Sequence, residues 1–168
     1  MDLERLLFDY RGAPTWDVER CCWSPSNRFV WFRGDTFIQA GQVYQELVTG
    51  RYAVSWARPG QFPQPPYGSW GPANLAGCVL TMTAKLEFQD QDPSSVFQID
   101  SAVIGGLTIT TPGIGSFKAV APAISTLSFG DQITRLVFDL RVKDASSNLF
   151  RGDEGEILVV PTATRSIT

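Results

Sequence analysis

The chain has 168 residues, of which 43% are hydrophobic and 18% are charged, as expected of one globular domain with its own core. Its formal net charge of −3 argues against a broad nucleic-acid-binding surface, because binding to phosphates needs clustered Lys and Arg. It contains no histidine, which excludes Ser/His/Asp triads and histidine metal sites. We therefore expect no nucleic-acid partner, no cofactor and no metal.

The first residues predict a short amphipathic helix over residues 2–11, ended by Gly12. This helix either packs on its own domain or docks on a neighbouring subunit. The start lacks the basic residues of a secretory signal, and no stretch approaches the roughly 18 to 20 apolar residues that cross a bilayer. We expect neither an export signal nor membrane insertion. The apolar residues at helical spacing, which are candidate protein contacts, are Leu3, Leu6, Leu7 and Tyr10.

Aromatic and β-branched residues before residue 58 predict short strands, and core packing is the expected role of Trp56. These strands are placed at Arg28–Phe32, Val43–Val48 and Tyr52–Ala57.

The segment at residues 58–76 combines prolines and glycines, so we expect a long loop in which neither strand nor helix persists. Long loops inside compact domains are often functional. This loop carries three aromatic residues that we take as candidate protein contacts or as platforms for sugar rings, namely Phe62, Tyr67 and Trp70.

The chain after Gly77 has the clearest strand pattern. Thr134–Lys143 alternates apolar with mostly polar residues and should line the core. Short strands at near-regular spacing predict an all-β sandwich or small barrel, and we favour an antiparallel β-sandwich of two sheets. The other predicted elements are strands at 78–88, 96–99, 107–110, 116–120, 149–151 and 156–160, a helical turn at 122–127, and polar turns at 89–95 and 145–148.

Three cysteines, Cys21, Cys22 and Cys78, lack the number and spacing of a disulfide framework, a four-cysteine metal site or a redox pair, so we expect idle thiols. The tripeptides at residues 33–35 and 151–153 both spell Arg-Gly-Asp, and we interpret each as a turn rather than an adhesion signal.

Carboxylates are the remaining candidates for chemistry, since a pair of them can hydrolyse a glycoside without histidine. Most of them lie in predicted turns, where charged residues are usually solvated, and we favour that interpretation. No calcium-loop motif is present. The residues concerned are Asp90, Asp92, Asp100, Asp131, Asp139, Asp153, Glu154 and Glu156.

An ordered series of short motifs runs through the second half of the chain: G-L-T-I-T at 106–110, G-S-F at 115–117, I-S-T-L at 124–127, L-V-F-D-L at 136–140, L-F-R-G at 149–152 and V-V-P-T-A-T-R at 159–165. In this order they resemble the amino-terminal domain family of phage baseplate upper proteins and related tail modules. Arg33–Phe37 resembles the family's opening strand, and Leu80–Phe88 its central strand. Residues 1–32 have no counterpart, residues 58–76 look inserted, and the hairpin at 145–148 lacks the usual glycine.

The resemblance implies an immunoglobulin-like sandwich over residues 33–168, behind an amino-terminal extension of residues 1–32 that contacts the assembly. It implies a non-catalytic structural protein of the phage tail, baseplate or fibre-attachment apparatus, an adaptor made in the host cytoplasm and incorporated into the virion. The implied partners are other tail, baseplate or fibre proteins and further copies of the chain in a symmetric homo-oligomer. Two alternatives stay open, a β-sandwich that recognises a host surface glycan through the 58–76 loop, and a head decoration protein.

Overall fold

The computed structural model describes residues 15–17, 22–24, 27–57, 70–87 and 94–162. Strands dominate these ranges, and the two helical segments among them are short 3₁₀-helices at Pro112–Ile114 and Ala123–Thr126. The strands are β1 (Thr15–Asp17), β2 (Cys22–Ser24), β3 (Asn27–Phe32), β4 (Phe37–Glu46), β5 (Tyr52–Trp56), β6 (Trp70–Pro72), β7 (Val79–Lys85), β8 (Phe97–Asp100), β9 (Leu107–Thr111), β10 (Ser116–Ala121), β11 (Thr134–Lys143) and β12 (Leu149–Val160).

Most of the strands form two five-stranded sheets. Sheet A has the order β5-β4-β10-β9, with β6 also paired to β4, and sheet B has the order β3-β12-β11-β7-β8. Strands β1 and β2 make a separate hairpin. Every pair is antiparallel except β3 with β12, which run parallel.

The inner faces of the two sheets enclose one hydrophobic core, which confirms the predicted all-β sandwich. Trp56 is 7% exposed and packs edge-on against Phe29, Phe117 and Phe138, so its predicted core role is also confirmed. The wider core includes the aromatic residues Trp31, Phe37 and Phe97 and the aliphatic residues Val43, Leu80, Met82, Leu136, Leu140, Val142, Ile157 and Val159.

Strand β11 matches the sequence prediction at both ends. Its inward residues, Leu136, Phe138, Leu140 and Val142, are almost fully buried, because successive side chains of a strand point to opposite faces. The predicted helical turn at 122–127 is present as the 3₁₀-helix Ala123–Thr126.

The predicted boundary after residue 32 falls within the sheet-forming chain. Strand β3, at Asn27–Phe32, pairs along β12, and its Phe29 and Trp31 belong to the core. The sandwich therefore includes residues 27–32, which the family resemblance placed in the extension and for which the residue pattern predicted a strand at Arg28–Phe32.

The last two predicted strands are one strand. Residues 149–151 and 156–160 both lie in β12, and all of β11 pairs with it. The register shifts where Leu140 faces Asp153 and Arg141 faces Arg151, so Gly152 forms a bulge. The prediction that Arg151-Gly152-Asp153 is a turn was therefore wrong, because a bulge lets polar residues stay in the ladder.

Other strand limits also differ from the prediction. Strand β4 starts at Phe37 rather than Val43, and β7 ends at Lys85, with Leu86 exposed beyond it. Trp70–Pro72 is a strand paired with the end of β4, so the expectation that no ladder forms within 58–76 was wrong there. A three-residue edge strand tolerates Pro72 because it pairs on one side only.

Candidate contact face

Only one of the seven predicted contact residues lies among the described residues. Trp70 begins β6 opposite Glu46 and is partly buried on the outer face of sheet A. Tyr44, two residues before Glu46 in β4, lies on the same face and is 3% exposed. Its hydroxyl donates to the side-chain oxygen of Gln42 at 2.8 Å. Burial raises the pKa of the Tyr44 phenol above its ordinary value. Leu3, Leu6, Leu7, Tyr10, Phe62 and Tyr67 lie outside the described residues.

The described carboxylates are engaged separately rather than gathered into one site. Asp100 accepts the backbone N–H groups of Ala102 and Val103, and Asp153 accepts the indole N–H of Trp56. Within the described ranges, no group of three or more Cys, Asp or Glu residues could hold a metal ion. Asp90 and Asp92 lie outside those ranges. The other candidate carboxylates of the sequence analysis pair with arginines, Asp131 with Arg33, Asp139 with Arg141, Glu154 with Arg151, and Glu156 with Arg28 and Arg135.

Cys78 is a partly buried free thiol at the start of β7. Burial raises the pKa of the Cys78 thiol, and the nearby charge of Asp144 raises it further, while a backbone hydrogen bond at Ala145 opposes them. A raised pKa lowers the thiolate fraction and hence the reactivity at neutral pH. Cys21 lies outside the described residues.

The tripeptide Arg33-Gly34-Asp35 forms the turn between β3 and β4, as predicted. The Arg33 guanidinium donates to the carbonyl oxygens of Phe129 and Gly130 at 2.7 and 2.8 Å, and its side chain is only 14% exposed. The backbone N–H of Gly34 donates to the hydroxyl of Thr126 at 3.0 Å. The turn thus fastens the β10–β11 connection, which holds Arg33 away from an outside ligand.

The outer face of sheet B carries ion pairs beside buried apolar residues. Glu156 lies between two arginines, accepting from Arg28 at 3.1 Å and pairing with Arg135. Arg141 donates to Asp139 at 2.7 Å on the same face of β11. Val137, Leu158 and Val160, on this face, are 5–6% exposed. Partly exposed ion pairs of this kind add little stability.

The outer face of sheet A carries few charges, and these include Glu46 at the end of β4 and Lys118 in β10. The cross-strand pairs Ile38 with Val120, Ala40 with Lys118 and Gln42 with Ser116 bring β4 and β10 together, and Thr108 and Thr111 of β9, opposite Lys118 and Ser116, continue the face. Lys118 is the one charged residue among these eight. We call these eight residues the neutral face: Ile38, Ala40, Gln42, Thr108, Thr111, Ser116, Lys118 and Val120.

The neutral face continues into an uncharged edge. Residues 101–117, which include β9 and the turns on both sides of it, contain no Asp, Glu, Lys or Arg. Three of their apolar side chains are exposed, Val103 at 65%, Ile104 fully and Ile114 at 48%. Charged residues are depleted from the cores of protein interfaces, so this side of the molecule has the composition of a contact surface.

The neutral face is not predicted by the sequence pattern, because it joins β4 to β9 and β10, which lie far from β4 in the chain. A usable signal is the uncharged run at 101–117 in a chain with 31 charged residues, 14 basic and 17 acidic. Residues 101–117 already fit a strand flanked by turns, so the lack of charge in this run needs no further explanation from the sequence. It becomes informative only when β9 is placed beside β10 and β4 in the sheet.

The fold is thus an all-β sandwich of two sheets, with ion pairs on the outer face of sheet B and the neutral face on that of sheet A. A scan against protein-family models gives no match for this chain. A search of curated proteins likewise finds no significant relative. Within the described residues, no helix is long and apolar enough to cross a membrane.

Proposed function

We propose that the chain is a non-catalytic assembly module of the phage tail, baseplate or fibre-attachment apparatus, built as an immunoglobulin-like sandwich. It acts as an adaptor within the virion. Its contacts are with other virion proteins and with further copies of itself.

The strand order supports the immunoglobulin-like type. Sheet B, read β3-β12-β11-β7-β8, has the order A′-G-F-C-C′, and β4-β10-β9 in sheet A has the order B-E-D. The parallel pairing of β3 with the last strand suits an A′ strand beside strand G. On this assignment β5 and β6 are additions between strands B and C, and β6 lies within the segment at residues 58–76 that looks inserted, while β5 precedes it.

One observation carries the phage assignment, the match between the motif series and consecutive strands. The motif at 106–110 falls on β9, that at 115–117 on the start of β10, that at 136–140 on β11 and that at 149–152 on the start of β12. The motif at 124–127 overlaps the 3₁₀-helix Ala123–Thr126, and the motif at 159–165 begins with the last two residues of β12. Motifs that mark successive strands of one sandwich are harder to obtain by chance than the same motifs scattered through loops.

The neutral face supports a role in assembly. A face made of Thr, Ser, Gln, Ala and aliphatic residues loses little hydration energy when another protein covers it, whereas covering the ion pairs of sheet B requires charges to be desolvated. The neutral face is the better docking surface for a virion neighbour.

Mass spectrometry of purified particles of a phage whose genome encodes the chain tests the proposal. We expect the chain in the particles at a fixed ratio to the tail proteins, and its absence from them would overturn the assignment. Complementation sharpens the test: Ile38→Glu, which charges the neutral face at a side chain 57% exposed, should reduce incorporation. The control Arg141→Ser, on the outer face of sheet B, should leave incorporation unchanged.

A further inference from the structure

We propose that two copies of the chain pair through the free edges of β9, antiparallel and centred on Ile109. The two copies of sheet A then form one continuous sheet across a two-fold axis. The inference deepens the proposed function by naming one partner as a second copy of the chain. The inference rests on the proposed function only in placing the dimer within a phage particle.

The second edge of β9 pairs with no strand among the described residues. The backbone N–H of Val120 donates to the carbonyl of Gly106 at 2.7 Å, so Gly106 and, two residues on, Thr108 direct their backbone groups to β10. The backbone groups of Ile109 then point to the free edge. Two Ile109 residues placed opposite each other can exchange both hydrogen bonds, as an antiparallel pair requires.

This edge lacks the charges and the proline with which proteins usually block edge pairing. By comparison, both edge strands of sheet B contain a charged residue: β3 carries Arg28 and β8 carries Asp100. Strand β9 has the sequence Leu-Thr-Ile-Thr-Thr, made mostly of β-branched residues that favour strands. No like charges would meet if two such edges came together.

Two of the three exposed apolar residues beside β9 lie at equal distances in sequence from Ile109. Ile104 lies five residues before it and Ile114 five residues after it. In an antiparallel pair centred on Ile109, the turn that carries Ile104 in one copy lies beside the turn that carries Ile114 in the other. Each end of the pair therefore has one exposed isoleucine from each copy in its turns.

The contact is short, and we expect it to be weak. A bulge at Thr110, where Ser116 faces Thr111 and Phe117 faces Ile109, limits regular pairing to the middle of β9. We expect dissociation in the micromolar range for the free protein. In a particle that holds many copies close together, a contact of this strength is sufficient.

Sedimentation velocity of the full chain over a range of micromolar concentrations tests the inference. Thr108 of one copy faces Thr110 of the other when Ile109 is the centre, so Thr108→Lys with Thr110→Lys places two pairs of like charges across the axis. We expect the dissociation constant to rise about tenfold. The charge-swapped variant, Thr108→Lys with Thr110→Glu, places opposite charges there and should restore the dimer.

Hydrogen exchange of the peptide that contains β9 gives a second readout, and its amides should exchange more slowly at high protein concentration. Ile124→Lys, which adds a charge at an exposed residue outside the pair, should leave the dimer intact. A wild-type monomer throughout the concentration range, or equal dimerisation of the two double variants, would overturn the inference. Neither result depends on whether virions contain the chain, so this failure is separable from that of the proposed function.

Discussion

Trp56 donates its indole N–H to the carboxylate of Asp153 at 2.5 Å, and this hydrogen bond joins β5 of sheet A to β12 of sheet B. The ring of Trp56 lies in the core, while Asp153 follows the bulge at Gly152. The bulge therefore positions a carboxylate next to the polar atom of a buried ring, which satisfies a group that is costly to bury alone.

Trp56→Phe keeps an aromatic ring in the core and removes this donor. We expect the free energy of unfolding to fall by about 1–3 kcal/mol, because a hydrogen bond to a charged group is lost. Urea denaturation measures the change. A double-mutant cycle with Asp153→Ala isolates the pair: the two changes should be less than additive, and strict additivity would show that the hydrogen bond does not couple the sheets.

Gly115 lies in the turn between β9 and β10 with a φ of +74°, and a Cβ there would lie 2.3 Å from the carbonyl oxygen of Val43. Gly115→Ala should therefore lower the free energy of unfolding by at least about 2 kcal/mol, since both backbone strain and a clash with backbone oppose it. A Cβ added at Gly113, two residues earlier, would meet no other atom within 4 Å. Gly113→Ala is the matched control and should be nearly neutral in thermal denaturation, and equal melting temperatures for the two variants would contradict the prediction.

Ser147 is the one non-glycine residue with positive φ among the described residues, at +69°, in the hairpin between β11 and β12. It occupies the hairpin in which the phage-module pattern has a glycine. Ser147→Gly should raise the free energy of unfolding by up to about 1 kcal/mol, because glycine adopts this conformation without strain. Ser146→Gly should instead be neutral or destabilising, and a gain in melting temperature from that control would show that the effect is not conformational.

The sequence predicted β11 well because apolar and polar residues alternate along most of it, with Val137 as the buried exception, and such alternation indicates a strand without knowledge of its neighbours. It split β12 because Gly152, Asp153 and Glu154 have the composition of a turn, and only pairing with the long β11 keeps them in a strand. The start of β4 was missed because its middle residues, Gln39 to Gln42, are small or polar and gain their strand conformation from β10. The residue pattern of a segment therefore predicts a strand only where one face of that strand is buried and the other is exposed.

Asp144 caps the hairpin between β11 and β12 and makes the stability of that hairpin depend on pH. Its carboxylate accepts the side-chain amide of Asn148 at 3.0 Å and the backbone N–H groups of Ser146 and Asn148 at 2.9 and 2.8 Å. These bonds, led by that from the Asn148 side chain, lower the pKa of Asp144 below its ordinary value, although its partial desolvation opposes them. The charged form is favoured by folding, so this stabilisation is present above the unfolded-state pKa of about 3.9 and is lost as pH falls through the lower folded-state pKa.

The Asp144→Ala variant should therefore melt below the wild type at neutral pH, and the difference should shrink as the solution is acidified below about pH 4. Carbon-13 NMR of the Asp144 carboxyl measures the cause directly. In Asn148→Ala, which removes the first of the donors, the pKa of Asp144 should rise towards its ordinary value. An unchanged Asp144 titration in that variant, or a melting-temperature difference that persists at low pH, would show that the cap does not act through the ionised carboxylate.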